Sequence, residues 1–233
     1  MSGPQKRKSI GARGLGVRVK TAKGRKVSST RWLERQLNDP YVQSAKRDGY
    51  RSRAAYKLME IDEKYDVLKP GGVVIDLGAA PGGWSQVAAE KVVKPNGQGT
   101  VVALDLLEMD PISGVVTLQA DFMDDDGFAR LLTELGDRKV DVVLTDMAAP
   151  ATGHKQTDHL RIMALCEAAL EFAEEVLAPG GTFLAKVLQG GTERSLLDRL
   201  RRDFRSVRHV KPEASRADSA ELYVLAQGYR GDD

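Results

Sequence analysis

The sequence predicts an α/β fold in which a mostly parallel sheet carries helices on both faces. Three observations predict it. Short apolar runs alternate with helical periodicity from residue 73 onward, a glycine-rich turn follows the first run, and an aspartate stands where each of the first four runs ends. Together they describe a doubly wound sheet with one ligand edge.

Residues 1–29 include Lys6-Arg7-Lys8, Arg13, Arg18 and Lys23 to Lys26, with several glycines and little apolar content. Such a composition is expected to stay disordered until a partner binds. Residues 1–57 hold 16 of the 35 Lys and Arg but 3 of the 33 Asp and Glu, a balance of +13, whereas the remainder holds 19 against 30, or −11. A basic arm on an acidic body suits a polyanionic partner, and an idle solvated tail is the plain alternative.

A periodic segment with Trp32, Leu33 and Leu37 begins at Thr30 and breaks at Asn38-Asp39-Pro40. From about Ser52, Ala54, Leu58, Ile61 and Tyr65 recur at intervals of four, three and four, which predicts a helix with Lys57 at the edge of its buried face. After Lys69-Pro70-Gly71-Gly72 the strands expected are 73–77, 100–104, 115–120, 140–145 and 182–187, with two more near 206–210 and 222–226. Helices are expected between the first five. The clearest runs over 158–178, with Leu160, Met163, Cys166, Leu170, Ala173 and Leu177 at helical spacing and Pro179-Gly180-Gly181 as a stop. No internal repeat and no second core-sized domain is visible.

Composition removes several classes. The single cysteine, Cys166, excludes an internal disulfide, and His154, His159 and His209 are too scattered to suggest a metal site. No apolar run approaches the ~18 residues that span a bilayer, and no secretory signal opens the chain, so a cytoplasmic protein is expected.

The turn Asp76-Leu-Gly-Ala-Ala-Pro-Gly-Gly-Trp84 lies between a strand and a helix, where open α/β sheets bind nucleotides. Gly78, Gly82 and Gly83 let the backbone approach a ligand. Gly78-x-Ala80-x-x-Gly83 is a degenerate dinucleotide fingerprint, which leaves a nicotinamide or flavin oxidoreductase open. Pro81 removes an amide from any phosphate cradle, so a phosphate-free nucleoside cofactor such as S-adenosyl-L-methionine fits better. Asp105, 22 residues beyond Gly83, is the ribose candidate, and Asp121 with Phe122 a candidate for adenine. Any one of Asp76, Asp105, Asp121 and Asp146 reads equally as a turn or cap residue; four in register favour a ligand edge.

Lys186 interrupts the apolar run Thr182 to Leu188, and a buried ammonium is costly unless paired or used. An edge strand with a snorkelling lysine is the alternative. Glu221 opens the last strand. Trp84 and Cys166 read more simply as core, and His154 as a solvated residue on a substrate loop.

Several motifs together resemble the RrmJ/FtsJ-type (RlmE family) ribosomal RNA 2′-O-methyltransferases. They are Asp76 to Gln86, Asp105 to Ile112, Gln119-Ala120-Asp121-Phe122, Thr145-Asp146-Met147-Ala148, Arg51 to Leu58, Lys186 to Gly190, and Lys211 to Glu221. The match covers residues 30–228 in the family's order. It implies a Rossmann-like S-adenosyl-L-methionine-dependent methyltransferase with a seven-stranded sheet whose last strand is antiparallel. It also implies a Lys57, Asp146, Lys186 and Glu221 catalytic group, and a cofactor site lined by Gly82, Trp84, Asp105, Asp121 and Asp146. The implied acceptor is a uridine ribose of 23S rRNA in the large ribosomal subunit. A monomer without a metal is expected, organised as a basic RNA-binding arm (1–29) and one methyltransferase domain (30–233) with a helical extension over 30–69. Ala149, where the family has proline, leaves the substrate loop's shape open.

Overall fold

The computed structural model describes residues 27–150, 152–188 and 194–231. Its elements are α1 (Val27–Asn38), α2 (Pro40–Asp48), α3 (Ala54–Tyr65), β1 (Val73–Leu77), α4 (Gly83–Val92), β2 (Thr100–Asp105), β3 (Val115–Gln119) and α5 (Asp125–Leu135). They continue with β4 (Val140–Thr145), α6 (Lys155–Val176), β5 (Leu177–Leu188), α7 (Arg194–Asp203), β6 (Phe204–Val210) and β7 (Glu221–Tyr229).

The seven strands form one sheet in the order β3-β2-β1-β4-β5-β7-β6. β1 to β5 pair in parallel, and β7 inserts antiparallel between β5 and β6. This is the Rossmann-like methyltransferase arrangement. Because successive strand residues face opposite sides, the sheet divides the core in two. Ile75, Leu77 and Val143 pack on one side with Leu131, Leu170, Phe172 and Leu200, under α5, α6 and α7. Val74, Leu144, Tyr223 and Leu225 pack on the other with Leu58, Ile61, Trp84 and Val87, under α3 and α4. Each buried Leu or Ile contributes about 1.5–3 kcal/mol. Leu58 and Ile61, at 0% and 1% exposure, thereby seat α3 firmly enough to carry Lys57 inward to 6%.

Several expectations are corrected. The first helix starts at Val27 rather than Thr30, so residues 27–29 of the expected arm are helical; residues 1–26 lie outside the described residues. The break at Asn38-Asp39-Pro40 is present, since α1 ends at Asn38, but a further helix, not expected from the sequence, begins there. Proline sits in the first turn of α2, where its missing amide needs no partner, and Asp39 caps it by accepting a bond from the Tyr41 amide at 3.0 Å. No helix joins β2 to β3; residues 106–114 form a loop. Pro179-Gly180-Gly181 does not lie outside the sheet. β5 already starts at Leu177, and a register shift between Val140 and Val142 absorbs the interruption. Leu160 is 54% exposed and does not belong to the buried face of α6, whereas Met163, Cys166, Leu170 and Ala173 do.

Candidate active site

The ends of β1, β2, β3 and β4 share one edge of the sheet, and β7 runs the other way, so its first residues reach that same edge. Four polar side chains meet there. Asp146 follows β4. Lys186 lies on β5 and places Nζ 3.2 Å from Asp146 Oδ1 while donating to the Asp146 carbonyl at 2.5 Å. Lys57 arrives from α3, with Nζ 3.2 Å from Glu221 Oε2 and 3.9 Å from Asp146 Oδ2. Lys57, Asp146, Lys186 and Glu221 therefore form one cluster of two ammonium and two carboxylate groups, which compensates the burial of both lysines.

A fifth member was missed by sequence reasoning. Tyr223 accepts a bond from Lys57 Nζ at 3.0 Å and donates to Asp146 Oδ1 at 2.8 Å. It is the cross-strand partner of Lys186 in the β5–β7 pairing, so both side chains leave the same face of the sheet. Burial, with the negative charges of Asp146 and Glu221 added, pushes its hydroxyl well above the usual phenol range and keeps it a donor. The available signal was a tyrosine two positions beyond Glu221 in an otherwise apolar strand.

The glycine turn packs closely against the end of β4. Gly78 has φ +72°, and a Cβ there would lie 2.5 Å from Met147 Cγ. Gly82 has φ +104° and opens α4. Asp105 accepts bonds from the Ala80 amide at 2.9 Å and the Leu107 amide at 2.8 Å, and Asp121 from the Met123 amide at 2.9 Å. The turn role of both carboxylates is thus real, and a carboxylate with about four lone-pair positions retains acceptor capacity beside it. Asp76 is fully buried; Ser85 donates to its Oδ2 at 2.6 Å, and Oδ1 has no hydrogen-bond partner. Burial pushes this carboxyl up to about 7, helped by the nearby charges of Asp146 and Asp105.

Trp84 is placed differently from a ligand-stacking residue. It is 3% exposed, donates to the Ala54 carbonyl at 2.8 Å, and packs against Tyr223 with ring centroids 5.5 Å apart. Phe122 does not offer a face to an adenine either; it is buried edge-on against Phe172. Cys166 is core, and burial pushes its thiol up to about 12. His154 contacts Thr157 at the exposed start of α6. Gln189 and Gly190, the end of one motif, lie outside the described residues.

Beside Lys57 and Glu221 opens a cavity of about 340 Å³, lined in part by Arg35, Arg53, Arg216 and Ser219. Asp39, itself 8% exposed, holds two of these guanidinium groups. Its Oδ2 lies 3.2 Å from Arg53 Nε and accepts a bond from Arg216 Nη2 at 3.2 Å. In the sequence Asp39 reads only as part of a break. Among the described residues no group of three or more His, Cys, Asp or Glu is placed to hold a metal ion, and no helix is long and apolar enough to cross a membrane.

The sheet order, the glycine turn after β1 and the Lys-Asp-Lys-Glu cluster at the ligand edge define a Rossmann-like methyltransferase. Residues 50–229 match the family model described as FtsJ-like methyltransferase, and the chain belongs to that family. A relative from Parvibaculum lavamentivorans is 64% identical over 228 residues, covering 95% of this chain and 89% of its own length. One from Paramagnetospirillum magneticum is 64% identical over 223 residues, covering 95% and 91%. Both are named ribosomal RNA large subunit methyltransferase E. The crystal structure described as a ribosomal RNA methyltransferase from Plasmodium falciparum is 33% identical with a TM-score of 0.69, covering 78% of this chain and all of that one. The enzyme is a methyltransferase, and the oxidoreductase reading left open by the glycine turn is set aside.

Proposed function

We propose that this protein transfers a methyl group from S-adenosyl-L-methionine to a ribose 2′-hydroxyl of ribosomal RNA, a uridine of 23S rRNA within the large subunit. The observation that carries the reading is the convergence of Lys57, Asp146, Lys186 and Glu221 at one sheet edge. The cluster is complete within one chain and needs no second copy, and we read the protein as a monomer that meets its ribosomal substrate in the cytoplasm.

The residues fit the donor. Its sulfonium methyl is the electrophile, and its sulfonium and ammonium groups are both positive. Asp76, Asp105 and Asp146 are close enough together that the latter two raise the first, and Asp76 Oδ1 is a buried acceptor with no partner. A cationic ligand is what such a carboxylate edge favours. Gly82, with no Cβ, opens the turn beside it, Asp105 and Asp121 take the ribose and the base, and Trp84 supports the site from beneath through Tyr223.

On the acceptor side, Lys186 is the group that receives the hydroxyl proton. Its Nζ donates to the Asp146 carbonyl at 2.5 Å and lies 3.2 Å from Asp146 Oδ1, so Asp146 fixes where this nitrogen meets the 2′-hydroxyl. Lys57, tied to Glu221 and Tyr223, supplies positive charge beside the oxygen as it loses its proton. The cavity lined by Arg35, Arg53 and Arg216 admits the polyanion next to these groups.

The test pairs Lys186→Ala with a substrate of large subunits from cells lacking the protein. Methyl transfer should fall by about 10² or more while donor binding persists. Activity near wild type would remove Lys186 from the mechanism. Loss of a ribose methylation in 23S rRNA from the deletion cells would support the acceptor; a missing methyl in transfer RNA instead would reassign it.

A further inference from the structure

Arg51 precedes α3 in the basic N-terminal region, where its charge counts toward a polyanion partner. Its geometry points elsewhere. Nη1 donates to the Asp110 carbonyl at 2.7 Å and the Pro81 carbonyl at 3.3 Å, and Nη2 donates to the Pro111 carbonyl at 2.8 Å. Its own amide donates to Gln86 Oε1 at 2.8 Å, and Gln86 Nε2 donates to the Gly49 carbonyl at 3.1 Å. One guanidinium therefore ties the turn after β1 to the loop after β2, and the residue is itself fastened to α4.

These two segments are the walls of the cleft assigned to the donor, since the first carries Gly82 and the second follows Asp105. An independent feature shows how closely they meet. A Cβ on Gly82 would lie 2.6 Å from Ile112 Cδ1 and 3.3 Å from both Arg51 Cδ and Arg51 Nη1. Met109, 9% exposed, packs in the same loop against Ala79. The loop over 106–112 thus lies on the glycine turn, with Arg51 across the seam.

We infer that Arg51 is a positioning residue for the methyl donor: it straps the 106–112 loop onto the Pro81-Gly82 turn and so sets the width of the donor cleft. This inference rests on the donor assignment proposed above. The same residue lies six positions before Lys57, so the strap also holds the helix bearing the acceptor-side lysine against the donor site. A planar fork with several donors suits a site of three carbonyls, which a single ammonium cannot span.

The test uses the full chain with S-adenosylhomocysteine as the calorimetric probe, alongside filter binding to 23S rRNA. Arg51→Met should weaken the probe about tenfold or more and leave RNA affinity within about twofold. Arg51→Lys should recover only part of the loss. Hydrogen exchange in 106–112 should accelerate in Arg51→Met without added ligand. If Arg51→Met does not fold, Ile112→Ala loosens the same seam and should weaken the probe in the same direction. Unchanged probe affinity in these folded variants, or a loss confined to RNA binding, overturns the strap. Failure of the wild-type protein to bind the probe would instead overturn the donor assignment.

Discussion

Lys186 and Tyr223 stand opposite each other in the β5–β7 register, and their polar ends meet on a single oxygen, Asp146 Oδ1, at 3.2 and 2.8 Å. The cross-strand pair fixes the distance between two groups on neighbouring strands, and Asp146, at the end of β4, closes the triangle. Lys57 then joins through the Tyr223 oxygen at 3.0 Å. Tyr223 is therefore the hinge of the cluster's hydrogen bonding, although it carries no charge.

Replacing Tyr223 by Phe removes one donor and one acceptor while keeping the ring packed on Trp84. A hydrogen bond to a charged group is worth about 1.5–3 kcal/mol, but Asp146 keeps both lysines, so the lower end applies. We expect kcat to fall about tenfold with KM for RNA and donor little changed. Steady-state methyl transfer decides it; an unaltered kcat would reduce Tyr223 to scaffold.

Asp76 makes stability depend on pH in an unusual direction. Its folded value of about 7 stands above the ordinary 3.8, so the folded state binds the proton more tightly than the unfolded chain. Its contribution is greatest below about pH 4, declines as pH rises from 4 to 7 by at most ~1.4 kcal/mol per unit, and is flat above. Urea unfolding at pH 4.5, 6 and 8 should show wild type losing ground to Asp76→Asn across that window. A parallel pH response in the two proteins would contradict it.

Trp84→Phe separates a packing role from a ligand role. The indole is buried and bonded to Ala54, so the change should lower unfolding free energy by roughly 1–3 kcal/mol through the lost hydrogen bond and the lost volume. Affinity for S-adenosylhomocysteine should stay within about twofold. Weakened binding at full stability would return Trp84 to the ligand surface.

Removing residues 1–26 tests the basic arm. Each lost phosphate contact should lower the slope of log affinity against log salt by ~0.7 to 0.9. RNA binding by filter retention at several salt concentrations measures this, and an unchanged slope would mark the arm as idle.

The glycine turn, the strand-end aspartates and the lysine in an apolar strand were legible because each is a local signal, a period of two or a residue type out of place. β7 was legible too, though its direction came from resemblance. What failed was non-local or marginal. Pro40 does break the first helix, but the short helix that Asp39 caps from Pro40 onward was not legible. Pro179-Gly180-Gly181 does follow the end of α6, but β5 begins before it, at Leu177, with a register shift against β4. Arg51 reads as one more positive charge until three carbonyls from two other segments surround it.

By itself the sequence determined the sheet's strands, the donor-side turn and the residue types available for chemistry, since these follow from neighbours a few positions apart. Tertiary structure alone decided which of them act together. Lys57 meets Glu221 across 164 residues and Tyr223 across 166, distances over which side-chain periodicity carries no information. Those contacts arise because an antiparallel β7 turns its first residues to the edge where the parallel strands end, and because α3 is anchored by its apolar face at the height of Asp146.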